Sequence, residues 1–83
     1  MTHIARTPKQ LGTILQRYRK KRGLTQGNLG EKTKLRQATI SHLEAGRTSV
    51  QLGNLLDVLT ALDLELVIQP RSKGSPTEIE SST

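Results

Sequence analysis

Hydrophobic residues recur every three or four positions as far as residue 62, which is the period of amphipathic helices. The first such stripe starts after Thr7, which is expected to cap the helix while Gln10 completes a capping box. Pro8 fits the first helical position, and Gly23 is expected to end the helix because glycine adopts a positive φ at little cost. The stripe predicts one buried face, made of Leu11, Ile14, Leu15 and Tyr18.

Two short helices joined by a tight turn are predicted next. Thr25 is a good N-cap for residues 26–33, although the glycines in this stretch each cost about 1 kcal/mol relative to alanine. Gly30 would let another helix approach closely. The second of these helices is predicted over residues 37–45 and is expected to end at Gly46.

The last helix is predicted over residues 50–62, with Ser49 as its cap and a wide leucine face. Residues 63–69 then approach the alternating pattern of a strand, which Pro70 ends. One strand cannot satisfy its own backbone groups, so the simplest solution is pairing with the same strand of a second copy around a two-fold axis. An extra helical turn followed by coil is the alternative. The pairing strand would present Leu64, Leu66 and Ile68.

This pattern divides the chain into an arm, one domain and a tail. Residues 1–6 are expected to form a flexible arm, and residues 7–69 to form one folded domain that includes the dimerisation strand. Residues 70–83 are rich in Ser, Thr, Gly and Pro without periodicity, which predicts disorder. The tail could be a solvated end, or a segment that a partner protein or a protease recognises.

Charge is distributed unevenly along the chain. Residues 1–48 contain eleven Lys or Arg and two acids, whereas residues 49–83 contain two basic residues and five acids. A net charge of +9 on the first part suits contact with a polyanion. The absence of cysteine, of a long apolar run and of a signal-peptide pattern makes a cytoplasmic protein without a membrane partner the expectation.

The helix predicted over residues 37–45 carries the side chains best suited to the major groove of DNA. Two residues of this helix, Ile40 and Leu43, are expected to face inward. The others are small or polar and can exchange hydrogen bonds or methyl contacts with base edges. This base-contacting set consists of Gln37, Ala38, Thr39, Ser41 and His42. The flanking cations Lys34, Arg36 and Arg47 are expected to contact phosphates.

Two stretches with fixed spacing, LTQxxLGxK at residues 24–32 and QATISxLExG at residues 37–46, resemble the helix-turn-helix family of phage repressors and Xre-type regulators. The resemblance implies a mainly all-α, lambda-repressor-like bundle of four to five helices, here with one C-terminal strand that pairs across a homodimer. It also implies that Gln26 contacts a phosphate and that Arg19 pairs with Glu44. Arg36 departs from the common Ser or Thr cap, which removes a cap and adds a positive charge.

A narrower resemblance, which includes the leucine-rich last helix and the strand, is to HipB-type antitoxins. It implies a homodimer that binds double-stranded operator DNA and a HipA-type kinase toxin, and so represses its own operon. The alternatives are an Xre-type repressor without a toxin partner and a module that chiefly neutralises a toxin.

Other classes of function are disfavoured. RNA binding is disfavoured because Tyr18 is the sole aromatic residue among Phe, Trp and Tyr. His42 has only His3 as a second histidine, so no metal site or cofactor is expected. Glu44 lacks a partner for acid–base catalysis, and no set of catalytic residues can be assembled, so an enzyme is not expected.

Overall fold

The computed structural model describes residues 2–71, and this part of the chain is mainly helical. The fold class predicted from the sequence is confirmed at this level, since the helix order and the helix-turn-helix are as expected. The helices are α1 at Pro8–Lys21, α2 at Gln26–Thr33, α3 at Gln37–Glu44 and α4 at Leu52–Ala61.

The start of α1 follows the prediction except for one hydrogen bond. The Thr7 hydroxyl accepts from the backbone N–H of Gln10 at 3.0 Å, and Pro8 stands at the first helical position. The Gln10 carbonyl oxygen, however, accepts from the backbone N–H of Arg6 at 2.7 Å rather than from that of Thr7. The side chain of Gln10 thus ties the last residue of the arm to α1.

Helix α2 is short but is defined at both ends. Thr25 and Asn28 form a complete capping box, with hydrogen bonds of 3.0 and 3.1 Å. Lys34 ends the helix in the left-handed conformation at φ 61°. At Gly30 the close approach comes from the turn and not from a helix, because an added Cβ would lie 2.7 Å from the carbonyl oxygen of Leu35.

Helix α4 is shorter than predicted. It begins at Leu52 with Gln51 as its N-cap, so the prediction that Ser49 caps a helix over residues 50–62 is wrong. Residues 48–50 form turns, and from there Val50 packs against the core. Val50 is therefore part of the core but not of α4, which begins two residues later.

The core lies where all four helices meet. It consists of buried aliphatic side chains, namely Leu15, Leu29, Ile40, Leu43, Val58, Leu59 and Leu62. Two glycines bring α1 and α3 into backbone contact. An added Cβ at Gly12 would lie 2.6 Å from the carbonyl oxygen of Leu43, and one at Gly46, whose φ is 84°, would lie 2.7 Å from Lys9 Cα.

No strand is present within residues 2–71. After Asp63, at φ 60°, Leu64 packs against the core, but the side chains that follow are exposed. Leu66 is 54%, Val67 64% and Ile68 91% exposed. A strand needs a partner for its backbone groups, and a single copy supplies none here, so pairing between two copies stays a prediction.

The ends of the chain are described only in part. Residues 2–6 lie outside the helices and are exposed, yet the ring of His3 meets that of Tyr18 edge-on with 5.5 Å between centroids. The predicted tail, residues 70–83, lies outside the described residues from position 72 onward. None of the helices within residues 2–71 is long and apolar enough to cross a bilayer.

Candidate nucleic-acid interface

Helix α3 presents the predicted base-contacting set on its outer side. Ile40 and Leu43 are 0% and 6% exposed and fix the inner side of the helix in the core. The rest of the helix is therefore turned outward. Of the base-contacting set, the residues that are exposed are Gln37, Ala38 and His42, and those that are half-buried are Thr39 and Ser41.

Most polar side chains of this surface have no hydrogen-bond partner in the part of the chain that the structure describes. The side chains of Gln37, Ser41 and His42 make no hydrogen bond to any residue within 2–71. Their donors and acceptors are therefore available to an external ligand. A short helix with free amide, hydroxyl and imidazole groups matches the donors and acceptors on base edges in the major groove.

Cationic side chains stand at both ends of α3. Lys34 and Arg36 lie in the turn before the helix, Arg47 lies three residues after its last residue, and all three are exposed. Arg36 is the N-cap residue and makes no side-chain cap, so its guanidinium is not used to close the helix. Polar side chains flanked by cations suit duplex DNA, in which polar base edges lie between anionic phosphates.

The pair that the family resemblance implied is joined in the structure. Arg19 Nε lies 2.5 Å from Glu44 Oε2, and Arg19 Nη2 donates to Glu44 Oε1 at 3.1 Å. The side chains are 8% and 4% exposed, so this two-point ion pair is shielded from water. Arg19 Nη1 also donates to the carbonyl oxygen of Leu24 at 2.7 Å. The pair ties α1 to the end of α3 and to the segment before α2.

Gln26, a predicted phosphate contact, makes a hydrogen bond within the protein that the sequence did not predict. It is half-buried at the first position of α2, and its Nε2 donates to Glu44 Oε1 at 3.1 Å. The sequence offered no signal for this contact, because Gln26 and Glu44 are 18 residues apart. The capping role of Asn28 was also missed, although a threonine three residues before a side chain with an amide oxygen is a recognisable pattern.

An apolar groove of the domain lies away from α2 and α3. It has a volume of about 790 Å³ and is lined by the arm, by parts of α1 and α4, and by residues 63–71. Apolar side chains such as Ile14, Leu55 and Leu59 line it, and so do the exposed Leu66 and Ile68. The predicted dimer strand therefore borders this groove and not the base-contacting set. Within residues 2–71 no group of three His, Cys, Asp or Glu could hold a metal ion.

Comparison with known proteins identifies the family. The Helix-turn-helix family profile matches residues 15–68, which is more than half of the chain. The chain belongs to the helix-turn-helix family. This confirms the resemblance inferred from the sequence and makes the protein a DNA-binding protein of this class.

The relatives within the family include antitoxins. Antitoxin HipB of Escherichia coli K12 is 30% identical over 74 residues, which cover 89% of this chain and 84% of the relative. Of solved structures, the "HipB-O4 20mer complex" is similar with a TM-score of 0.77 and 28% identity, covering 87% of this chain and all of that one. A chain of the "HipA-HipB-O2-O3 complex" gives the same values.

Proposed function

We propose that this helix-turn-helix protein is a homodimeric, sequence-specific transcriptional repressor and the antitoxin of a HipBA-like operon. It would bind its own operator as well as a HipA-type kinase toxin. The observation that carries the proposal is the outer face of α3, where polar side chains that have no hydrogen-bond partner within residues 2–71 lie between exposed cations. A domain that superposes on HipB with a TM-score of 0.77 supports the choice of operator and toxin as partners.

Recognition of bases would depend on α3 in the major groove. Gln37 can form two hydrogen bonds to adenine through its carboxamide. Ala38 and Thr39 are short enough for the helix backbone to come close, and each can touch a thymine methyl group. Ser41 and His42 add hydrogen bonds further along the helix.

Phosphate contacts would fix the position of α3 without selecting sequence. Lys34, Arg36 and Arg47 bracket the helix and carry full charges, so their contribution would weaken as salt is added. Gln26, at the start of α2, would add an uncharged donor to the same backbone. The buried Arg19 would act structurally.

Dimerisation would involve residues 64–68. Leu66, Val67 and Ile68 are more exposed than large apolar residues usually are, and their backbone groups lack a partner strand within residues 2–71. Antiparallel pairing of two copies about a two-fold axis would cover these side chains and satisfy the backbone groups. Residues 7–69 would then form one DNA-binding and dimerisation unit, with residues 1–6 as arm and 70–83 as tail. The dimer would present two α3 helices to two half-sites.

The remaining parts of the proposal follow from the class of protein. Operator binding and toxin binding need no cofactor and no catalytic residues, and both partners would be met in the cytoplasm. The HipB relative has been solved together with HipA, which supports a kinase of this type as the protein partner.

The proposal is tested by footprinting the DNA upstream of the protein's own reading frame. The expected result is protection of an inverted repeat whose half-sites are about 10 base pairs, or a multiple, from centre to centre. Equal affinity for every sequence would refute a sequence-specific repressor.

Copurification from the intact operon tests the toxin partner. A HipA-type kinase is expected in the complex. Operator protection without such a kinase would leave an Xre-type repressor without a toxin. Capture of the kinase without an operator would leave a toxin-neutralising module.

A further inference from the structure

The carboxamide of Gln26 is held by a carboxylate from another helix. Gln26 is the first residue of α2, Glu44 is the last residue of α3, and Gln26 Nε2 donates to Glu44 Oε1 at 3.1 Å. A carboxylate can only accept, so it selects the nitrogen of the amide and turns the amide oxygen away. The contact thus sets both the place and the orientation of this side chain.

Glu44 is itself fixed by Arg19. The guanidinium donates to both carboxylate oxygens and, through Nη1, to the carbonyl oxygen of Leu24. Both side chains are more than nine-tenths buried, so they have little freedom to move. The positive charge of Arg19 also offsets the negative charge of Glu44. Without Arg19, the carboxylate of Glu44 would repel an anion bound next to Gln26.

Gln37 provides the contrast within the same chain. It opens α3 as Gln26 opens α2, but its side chain is exposed and has no hydrogen-bond partner within residues 2–71. One glutamine of the helix-turn-helix is therefore held before any ligand arrives, and the other is free to adapt.

We propose that Glu44 is a positioning residue for DNA binding, which acts through Gln26. One N–H of the Gln26 amide is occupied by Glu44, and the second N–H of the same nitrogen remains for a phosphate oxygen. Because the side chain is ordered in advance, the complex is spared the entropy of ordering it, which corresponds to about two- to tenfold in affinity. The inference rests on the proposed function, since it concerns the phosphate contact assigned there to Gln26.

The first experiment measures this contact one phosphate at a time. Operator duplexes carrying a single neutral methylphosphonate are titrated with the full-length wild type, Gln26→Ala and Glu44→Gln. For each protein, the affinity ratio of modified to unmodified duplex is compared. The phosphate whose modification weakens the wild type but not Gln26→Ala is the one that Gln26 contacts.

Glu44→Gln is expected to lower the sensitivity at that phosphate about two- to tenfold and to leave the sensitivity at the other phosphates unchanged. A purely structural role of Glu44 would weaken binding to all duplexes by the same factor, which cancels in the ratio. Glu31→Gln is the matched control, because Glu31 is exposed on α2 and its side chain has no partner within residues 2–71. It makes the same charge change and should leave every ratio unaltered.

The second experiment uses the wild type alone and does not depend on the folding of a variant. Relaxation of the side-chain ¹⁵N groups of free protein is expected to give Gln26 an order parameter near the rigid backbone value of about 0.85, and Gln37 a value below about 0.6. A Gln26 amide as mobile as that of Gln37 would overturn the positioning role.

The two levels of the hypothesis fail in different ways. If no phosphate loses its sensitivity in Gln26→Ala, the phosphate assignment is wrong and the positioning role falls with it. If Gln26→Ala identifies a phosphate but Glu44→Gln leaves its ratio unchanged, the positioning role alone is wrong.

Discussion

Replacing Arg19 by alanine tests whether the buried ion pair holds the helix-turn-helix together. The change removes three hydrogen bonds, two to Glu44 and one to the carbonyl oxygen of Leu24. The side chain of Glu44 is 4% exposed, and the change leaves its carboxylate with the amide of Gln26 as the one remaining side-chain donor among residues 2–71. A buried charge that loses its partner costs about 3–5 kcal/mol.

That cost is large for a chain of this size. A stability of about 0.05–0.15 kcal/mol per residue gives about 4–12 kcal/mol for the whole protein. We therefore expect Arg19→Ala to lose about a quarter or more of the free energy of unfolding, and to be partly unfolded if the protein lies at the lower limit of that range.

Urea unfolding followed by circular dichroism measures the loss. Arg17→Ala is the matched control, since it removes the same side chain from an exposed position of α1 and should change the stability by less than about 0.5 kcal/mol. Both variants must be compared at one protein concentration, because dimerisation couples stability to concentration. A difference of less than 1 kcal/mol between the two variants would refute the structural role of the pair.

A double replacement separates the pair from the space it fills. Arg19→Met combined with Glu44→Leu removes both charges and keeps apolar volume, so it is expected to restore most of the stability lost in Arg19→Ala. A double variant as unstable as Arg19→Ala would mean that the bond from Arg19 to Leu24, rather than the ion pair, is what the single variant loses.

Three further predictions follow. In the same unfolding assay, Gly12→Ala is expected to destabilise the protein by about 1–3 kcal/mol, because its Cβ would lie 2.6 Å from the carbonyl oxygen of Leu43. Gly53→Ala is the control, since its Cβ would meet no atom within 4 Å, and it should be neutral or stabilising. In electrophoretic binding assays, Gln37→Ala is expected to cost about 1–3 kcal/mol on the operator alone, while Arg47→Ala weakens binding to every sequence and flattens its salt dependence. An unaffected operator affinity would show that Gln37 does not contact bases. Removing residues 65–83, which retains Leu64 in the core, is expected to shift the protein toward monomer in sedimentation, and an unchanged profile would contradict strand pairing.

The local signals in the sequence predicted most of the helices. Thr7 and Thr25 cap α1 and α2 as expected, and Gly23 and Gly46 have positive φ at the ends of α1 and α3. These signals act within a few residues, so one sequence contains all the information needed to recognise them. The start of α4 was misplaced because Val50 packs on the core from a turn, and tertiary packing of this kind has no local signature.

Contacts between distant residues could be predicted only where a family pattern implied them. The pairing of Arg19 with Glu44 came from the resemblance, whereas neither the contact of Gln26 with Glu44 nor the backbone approach at Gly12 was expected. Both unexpected contacts depend on the crossing of two helices. Periodicity predicts which side of a helix is buried, but it does not predict the angle at which that helix meets another.

The side chains that hold α3 in place are distinct from the base-contacting set. The orientation of α3 depends on Ile40 and Leu43 in the core, on the backbone contact with Gly12, and on the ion pair of Glu44. None of these belongs to the base-contacting set, whose members are exposed or half-buried. Since the groups that hold the helix are distinct from those that face outward, substitutions in the base-contacting set can change the preferred sequence with little effect on the fold. If the same residues both held α3 and faced outward, a substitution that changed the preferred sequence would also change the free energy of unfolding. A domain of this size has little stability to lose.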